Sequence, residues 1–191
     1  MGRSGGVQGH WTDGTDPLEA LERDHILQLE VLDLIERIAD TLPEVVDLRT
    51  IERAVPLLRR AWEHHMSFED EALFPLLRER GRHLAHVSPL LDQLEHEHDA
   101  DAPHCHEIAD VFEEILAAGR QTSPEVLGYM LRGFFDSQRR HIAWENAMVL
   151  PLAREILSGS DLVTLQAYAI GLRRHGEGLA GEGLAGDDQP G

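Results

Sequence analysis

The chain carries a single cysteine, Cys105, among 191 residues. One thiol excludes an intrachain disulfide framework and any CxxC metal or redox motif. Basic side chains are also scarce: 17 Lys and Arg face 35 Asp and Glu, a formal charge of −18. Such a surface repels polyphosphate and anionic lipid, so neither nucleic acid nor a membrane is expected as a partner. No apolar run approaches the roughly 20 residues that span a bilayer. The opening stretch, MGRSGGVQGHWTDGTD, lacks the apolar core of a secretory signal. A soluble, cytoplasmic protein is expected. No segment reads as a strand. What the chain does contain is 42% apolar residues, enough for a sizeable core, and 12 histidines that need a role.

Residues 1–15 are polar and glycine-rich and read as a disordered arm. Residues 176–191, GEGLAGEGLAGDDQPG, read as a disordered tail. Residues 16–175 between them form one domain. Asp16-Pro17-Leu18-Glu19 places an N-cap, a proline at N1 and a glutamate at N3, which starts a helix running to about Thr41. A second helix covers Leu48 to Arg80 and stops at Gly81, with Pro56 kinking it or splitting off its first turns. A third starts at the Ser88-Pro89 cap and ends at Ala118 before Gly119. The fourth spans Pro124 to about Leu157, and a shorter fifth covers Asp161 to Arg174. Long helices joined by short connections predict an all-α, up-down-up-down four-helix bundle, with the fifth helix packed across it.

Apolar residues recur at steps of three and four on each long helix, and polar groups interrupt every stripe. The first reads Leu18, Leu21, His25, Leu29, Leu32. The second reads Leu58, Trp62, His65, Glu69, Leu73, Leu76. The third contains His98 between Leu94 and Ala102, and continues through Cys105 and Phe112. The fourth reads Phe134, Gln138, His141, Glu145, Met148, Leu152. A buried carboxylate costs several kcal/mol unless it is paired or coordinates a metal. Glu69 and Glu145 each follow a histidine by four residues on the same helix face, so both members of a pair can reach one ion. His25 and His98 add an imidazole each from the other two helices. Four imidazoles and two carboxylates exceed a closed zinc site and include no thiolate. They suit a pair of irons, oxo- or hydroxo-bridged, better than manganese. At six-coordination, about one position per iron stays open to a small ligand.

With these residues in view, the sequence resembles the hemerythrin-like, or HHE cation-binding, family. The resemblance rests on DHILQL (24–29), HMSFEDEALFPLL (65–77), EHDADA (97–102) and HIAWENAMVLPLA (141–153). It implies a four-helix bundle holding a non-haem di-iron centre on His25, His65, Glu69, His98, His141 and Glu145. Oxygen-carrying members show HxxxH on the third helix and HxxxxD on the fourth. Here Ala102 stands four after His98, and the carboxylate follows His141 by four. Without a fifth histidine the two irons should be more alike. That favours redox chemistry with peroxide, O2 or nitric oxide over simple O2 carriage. A catalase-like or peroxide- or NO-reducing enzyme fits this pattern, as does a sensing module that binds O2 or NO without turnover. EHDADA and HIAWENAMVLP also resemble the Repair of Iron Centers proteins, which implies donation of iron to damaged iron–sulfur centres. The extra N-terminal cysteine-pair domain typical of those proteins is not in this sequence.

Outside the six, Gln138 shares the stripe of His141 and is placed to hydrogen-bond a bound oxygen species. Asp70 is placed to brace a histidine. Trp62 and Trp144 adjoin ligands in sequence and are expected to pack around the cluster. Pro75 and Pro151, each six residues after a glutamate of an HxxxE pair, are expected to kink their helices below the site. Cys105 reads as a small buried apolar residue.

Overall fold

The computed structural model describes residues 15–44, 47–119 and 123–182, and every regular element among them is helical. The first rod is α1 (Pro17–Thr41). The second joins α2 (Leu48–Pro56), a π-helical turn (Leu57–Ala61), α3 (Trp62–Phe68), a second π turn (Glu69–Leu73) and α4 (Phe74–Arg80). The third is α5 (Val87–Ala118). The fourth joins α6 (Pro124–Trp144), a π turn (Glu145–Val149) and α7 (Leu150–Ile156). A fifth helix, α8 (Gly159–Glu182), packs against α1, α3 and the second π turn. The expected all-helical bundle is present.

Ion pairs trace the antiparallel order. Arg59 reaches Asp110 and Glu113 across the second and third rods, while Arg78, further along, reaches Asp92 and Glu95. Arg139 pairs with Asp33 and Glu36, and Arg154 with Glu22, across the fourth and first rods. Each acid number falls as the arginine number rises, as antiparallel rods require. Partly exposed pairs of this kind are worth about 0–1 kcal/mol each. The bundle is held by its apolar interior, where a fully buried Leu, Ile or Phe contributes about 1.5–3 kcal/mol. That interior comes in two clusters. One gathers Leu32, Ile35, Trp62, Phe112, Leu131 and Phe134. The other gathers Leu21, Phe68, Phe74, Leu91, Leu94 and Val149. The interrupting histidines and glutamates fall between the two.

The helix ends follow local chemistry. The Asp16 carboxylate accepts from the Leu18 and Glu19 amides at 2.8 and 3.3 Å, the expected cap. Gly119 ends α5 with φ of 68°, a left-handed conformation that glycine adopts without a Cβ penalty. The third rod starts one residue before the expected Ser88 cap, at Val87, with no side-chain cap. The fifth helix starts at Gly159 rather than Asp161. There Ser158 and Asp161 form a capping box: the Ser158 amide donates to Asp161 at 2.9 Å, and the Asp161 amide donates to the Ser158 hydroxyl at 3.3 Å. Its backbone stays helical to Glu182, through the first GEGLA copy of the expected tail. Extending a formed helix costs far less than nucleating one, and Glu, Leu and Ala favour it. The expected disorder of residues 1–14 and 183–191 lies outside the described residues.

Pro56 splits off the first turns of the second rod, as expected: after α2 ends there, the rod passes directly into a π turn. Pro75 and Pro151 each follow a π turn, those that begin at Glu69 and Glu145. In a regular helix each proline ring would clash with the carbonyl four residues back. The wider turn, closed by Phe74 N–H to the Glu69 carbonyl and Leu150 N–H to the Glu145 carbonyl, relieves that crowding. It also adds a residue to the turn. Beyond Glu145 the core position passes from the expected Met148, 48% exposed, to Val149, fully buried.

Candidate metal centre

The six expected residues meet in one layer. Each is 4% exposed or less, and Glu69 and Glu145 are fully buried. Their ligand atoms form two sets, each with all members within 4.8 Å of one another: His25, His65, Glu69 and Glu145, then Glu69, His98, His141 and Glu145. Both carboxylates belong to both sets. Glu145 lies 3.2 Å from His25 Nε2, 3.0 Å from His141 Nε2 and 3.8 Å from His98 Nε2. Glu69 lies 3.2 Å from His65 Nε2 and 3.5 Å from His98 Nε2. Every carboxylate oxygen of the pair is buried without a hydrogen-bond partner, as are His25 Nε2 and both ring nitrogens of His65. Groups so desolvated cost several kcal/mol each unless a cation compensates them.

Outer partners set the ring orientations. His98 Nδ1 lies 2.7 Å from Asp70 Oδ1, His141 Nδ1 lies 2.8 Å from Glu97 Oε2, and His25 Nδ1 lies 2.7 Å from Asn146 Oδ1. These oxygens accept, so the Nδ1 atoms donate and the Nε2 atoms face the interior, the arrangement of metal-ligating imidazoles. His98 Nε2 and His141 Nε2 stand 3.0 Å apart. Two lone pairs at that separation repel unless a proton or a cation lies between them. The Phe74 ring stacks on His98 at 5.8 Å with a 9° tilt, closing one side of the layer.

Charge in the layer is distributed unevenly. Burial, then the charges on His25 and other imidazoles, push His65 down to about 3, so it is neutral. Burial opposes charge on His98, but its hydrogen bond to Asp70 and the nearby Glu145 and Glu69 carboxylates raise it to about 10. Burial likewise opposes charge on His141, and the Glu145 carboxylate 3.0 Å away, with the hydrogen bond to Glu97, raises it to about 9. Glu69 is pushed well above the carboxylate range by burial and the Glu145 charge. Burial opposes charge on Glu145 as well, but the imidazoles of His141, His25 and His98 gathered around it hold it well below that range. The metal-free layer therefore carries protons where cations would sit.

The neighbours divide. Asp70, about a third exposed, is the His98 partner. Trp62 is buried, packs on Phe134 and donates its indole N–H to Gln138 Oε1 at 2.8 Å. Gln138 in turn donates to Asp101, so both ends of its amide are engaged by protein groups. Trp144 does not pack on the cluster: it is 46% exposed, since one residue before buried Glu145 the helix has turned about 100°. Cys105 is buried, and burial together with the Asp101 charge pushes its thiol far up. The sequence reading missed Glu97, Asn146 and the buried pair Gln28 and Asp101. Glu97 and Asn146 adjoin the candidate ligands His98 and Glu145, which was the signal available for them.

A helical bundle with a buried histidine layer sharing two carboxylates has the donor set of a cation-binding bundle protein. The Hemerythrin HHE cation binding domain matches residues 16–153, and the chain belongs to that family. No curated protein and no solved structure matches the chain. No helix among the described residues is long and apolar enough to cross a membrane.

Proposed function

We propose that the layer holds two iron ions and that the protein binds and redox-processes a small oxidant: peroxide, O2 or nitric oxide. The observation that carries this reading is the pair of four-residue sets sharing Glu69 and Glu145. A single ion needs one such set; two sets with common carboxylates fit two adjacent ions bridged by acids. His25 and His65 would hold one ion and His98 and His141 the other. Iron held by these six side chains would supply one-electron redox chemistry to the bound oxidant. The protein's own part is to exclude water with Trp62, Phe68 and Phe74, all buried, and to orient imidazoles through Asp70, Glu97 and Asn146. Iron over manganese follows from the imidazole-rich donor set.

Burial of all six groups and direct outer bonds on three histidines support retention of the metal over its donation. Metal analysis of the aerobically purified protein tests the centre. About two irons per chain are expected, and one zinc, or no metal, refutes the reading. Steady O2 release from added peroxide marks an enzyme. A reversible ligand spectrum without turnover marks a sensor, and rapid iron loss to an apo iron–sulfur protein marks a donor.

A further inference from the structure

The outer partners of the histidines follow a two-fold pattern. The residue after the glutamate of each HxxxE pair holds the histidine of a neighbouring single-histidine rod: Asp70 holds His98, and Asn146 holds His25. The residue before a single histidine holds the histidine of an HxxxE pair: Glu97, before His98, holds His141. The pattern has a fourth place. Its residue is Asp24, immediately before His25, and its histidine is His65. His65 Nδ1 is buried and has no hydrogen-bond partner in the protein. The charge of Asp24 acts on His65.

Beside Asp24 the first two rods leave a cavity of about 20 Å³, lined by Asp24, Leu27, Gln28, Val31, Leu57 and Trp62. One water needs about 10–15 Å³ of such space and two to four polar partners. Its lining includes two polar side chains, Asp24 and Gln28, the lower end of that range. Gln28 is 4% exposed, and its Nε2 is buried without an acceptor. Trp62, also in the lining, lies about one turn before His65 on the same rod.

We propose that Asp24 is the outer partner of His65, through a single water held in this cavity by the Asp24 carboxylate and the Gln28 amide. This rests on the two-ion reading and deepens it. The ion on His98 and His141 is supported by two directly bonded carboxylates. The ion on His25 and His65 is supported by one neutral amide and one water-relayed carboxylate. Weaker outer acceptors make less basic imidazoles, so the two ions are not equivalent, and the His25–His65 ion is the one held less tightly.

Stepwise titration of the metal-free full chain with Co(II), followed by its d–d absorption, reads the two steps separately. The wild type should take up two ions in unequal steps. Asp24→Ala should weaken the second, looser step by about 10–100-fold and leave the first unchanged. Gln28→Leu, which fills the cavity and removes the amide, should weaken that same step. Asp24→Asn should return it to within a few-fold, since Asn146 already serves His25 as an amide acceptor. Glu97→Ala should instead weaken the tighter step. Wild-type affinities for both steps in Asp24→Ala overturn the inference. So does an equal loss at both steps accompanied by a lower melting temperature of the metal-free variant, which would mark Asp24 as scaffold. Uptake of fewer than two ions by the wild type is a different failure: it overturns the two-ion reading, and this inference falls with it.

Discussion

Glu69→Gln and Glu145→Gln should be equivalent as losses of a metal ligand and unequal as changes to the metal-free fold. Both side chains are fully buried, and both belong to both ligand sets. On the proposed two-ion reading either change removes a donor from each ion, and both variants should load little iron. Without metal the two acids differ. Glu69 is pushed well above the carboxylate range by burial and by the Glu145 charge, so it holds a proton. Replacing a neutral acid with a neutral amide of the same shape should cost about 1 kcal/mol or less. Glu145 remains ionised against His141 at 3.0 Å and His25 at 3.2 Å. Its replacement strips buried cationic imidazoles of their counter-charge. Breaking such a pair costs about 3–5 kcal/mol, and because the imidazoles can shed protons, the lower end applies. Urea unfolding of chelator-treated proteins at pH 7 measures the contrast. With a slope of about 1–3 kcal/mol per M, a difference of roughly 2 kcal/mol separates the midpoints by about 1 M. Coincident midpoints, or a lower one for Glu69→Gln, would refute the assignment of the charge to Glu145.

The same charge pattern gives the metal-free protein a pH dependence. His98 and His141 are raised to about 10 and about 9 from an ordinary 6.5. Their contribution is complete below pH ~6.5 and is lost as the pH rises through their folded values, so the urea midpoint should fall between about pH 7 and 10; a flat profile contradicts this. Asp161 accepts from the Ser158 amide and hydroxyl and from Arg80. Asp161→Ala should cost about 1–2 kcal/mol by removing the cap of α8, seen as a lower urea midpoint, and an unchanged midpoint would show that the capping box contributes nothing. Hydrogen bonds from Arg80 and Ser158 hold the Asp161 carboxyl below its usual range, so its contribution is present above about pH 4 and is lost on further acidification. Cys105 is 2% exposed with its thiol pushed up by burial; a thiol reagent at pH 7 should label it only after unfolding, and prompt labelling of the folded chain would be inconsistent with that.

The layer of six was legible in the sequence because each member violates an apolar stripe. A histidine or glutamate at a core position is a local contradiction, and six such contradictions at compatible heights, spread over four rods, can be resolved together by one site. The groups that support the six were harder to read. Glu97, Asp70 and Asn146 stand one residue off the stripe, where a helix position is as consistent with solvent as with a neighbouring rod. Whether such a side chain reaches a partner depends on how closely the rods approach, and no single stripe encodes that distance. Gln28 and Asp101 are buried where the apolar neighbours Leu29 and Ala102 were expected to fill the core, and those two are only half-buried. Polar residues next to apolar ones are assigned outward by pattern. Here Asp101 is admitted inward because Gln138 and Ser137 donate to it.

The π turns were hidden for a different reason, and they connect fold to function. A repeat of 3.6 residues carried through Glu145 places Met148 inside, and the structure exposes it in favour of Val149. Pro151 supplies the cause and Glu145 marks the place, since the wide turn opens on the carboxylate itself. The second rod repeats the arrangement with Glu69 and Pro75. Both acids thus sit where the helix is locally wider, on rods bearing an HxxxE pair, while the single-histidine rods carry no π turn. The layer they build divides the apolar interior into two clusters, so its own balance matters to the whole bundle. Without metal, protons on His98, His141 and Glu69 offset part of the buried charge. Metal displaces those protons, and every ion bound to the folded chain alone adds RT ln(1 + [L]/Kd) to stability. On the proposed reading, binding and folding are linked through the same six side chains: a substitution that loosens a bound ion should lower the stability of the loaded protein, even where it leaves the metal-free fold untouched.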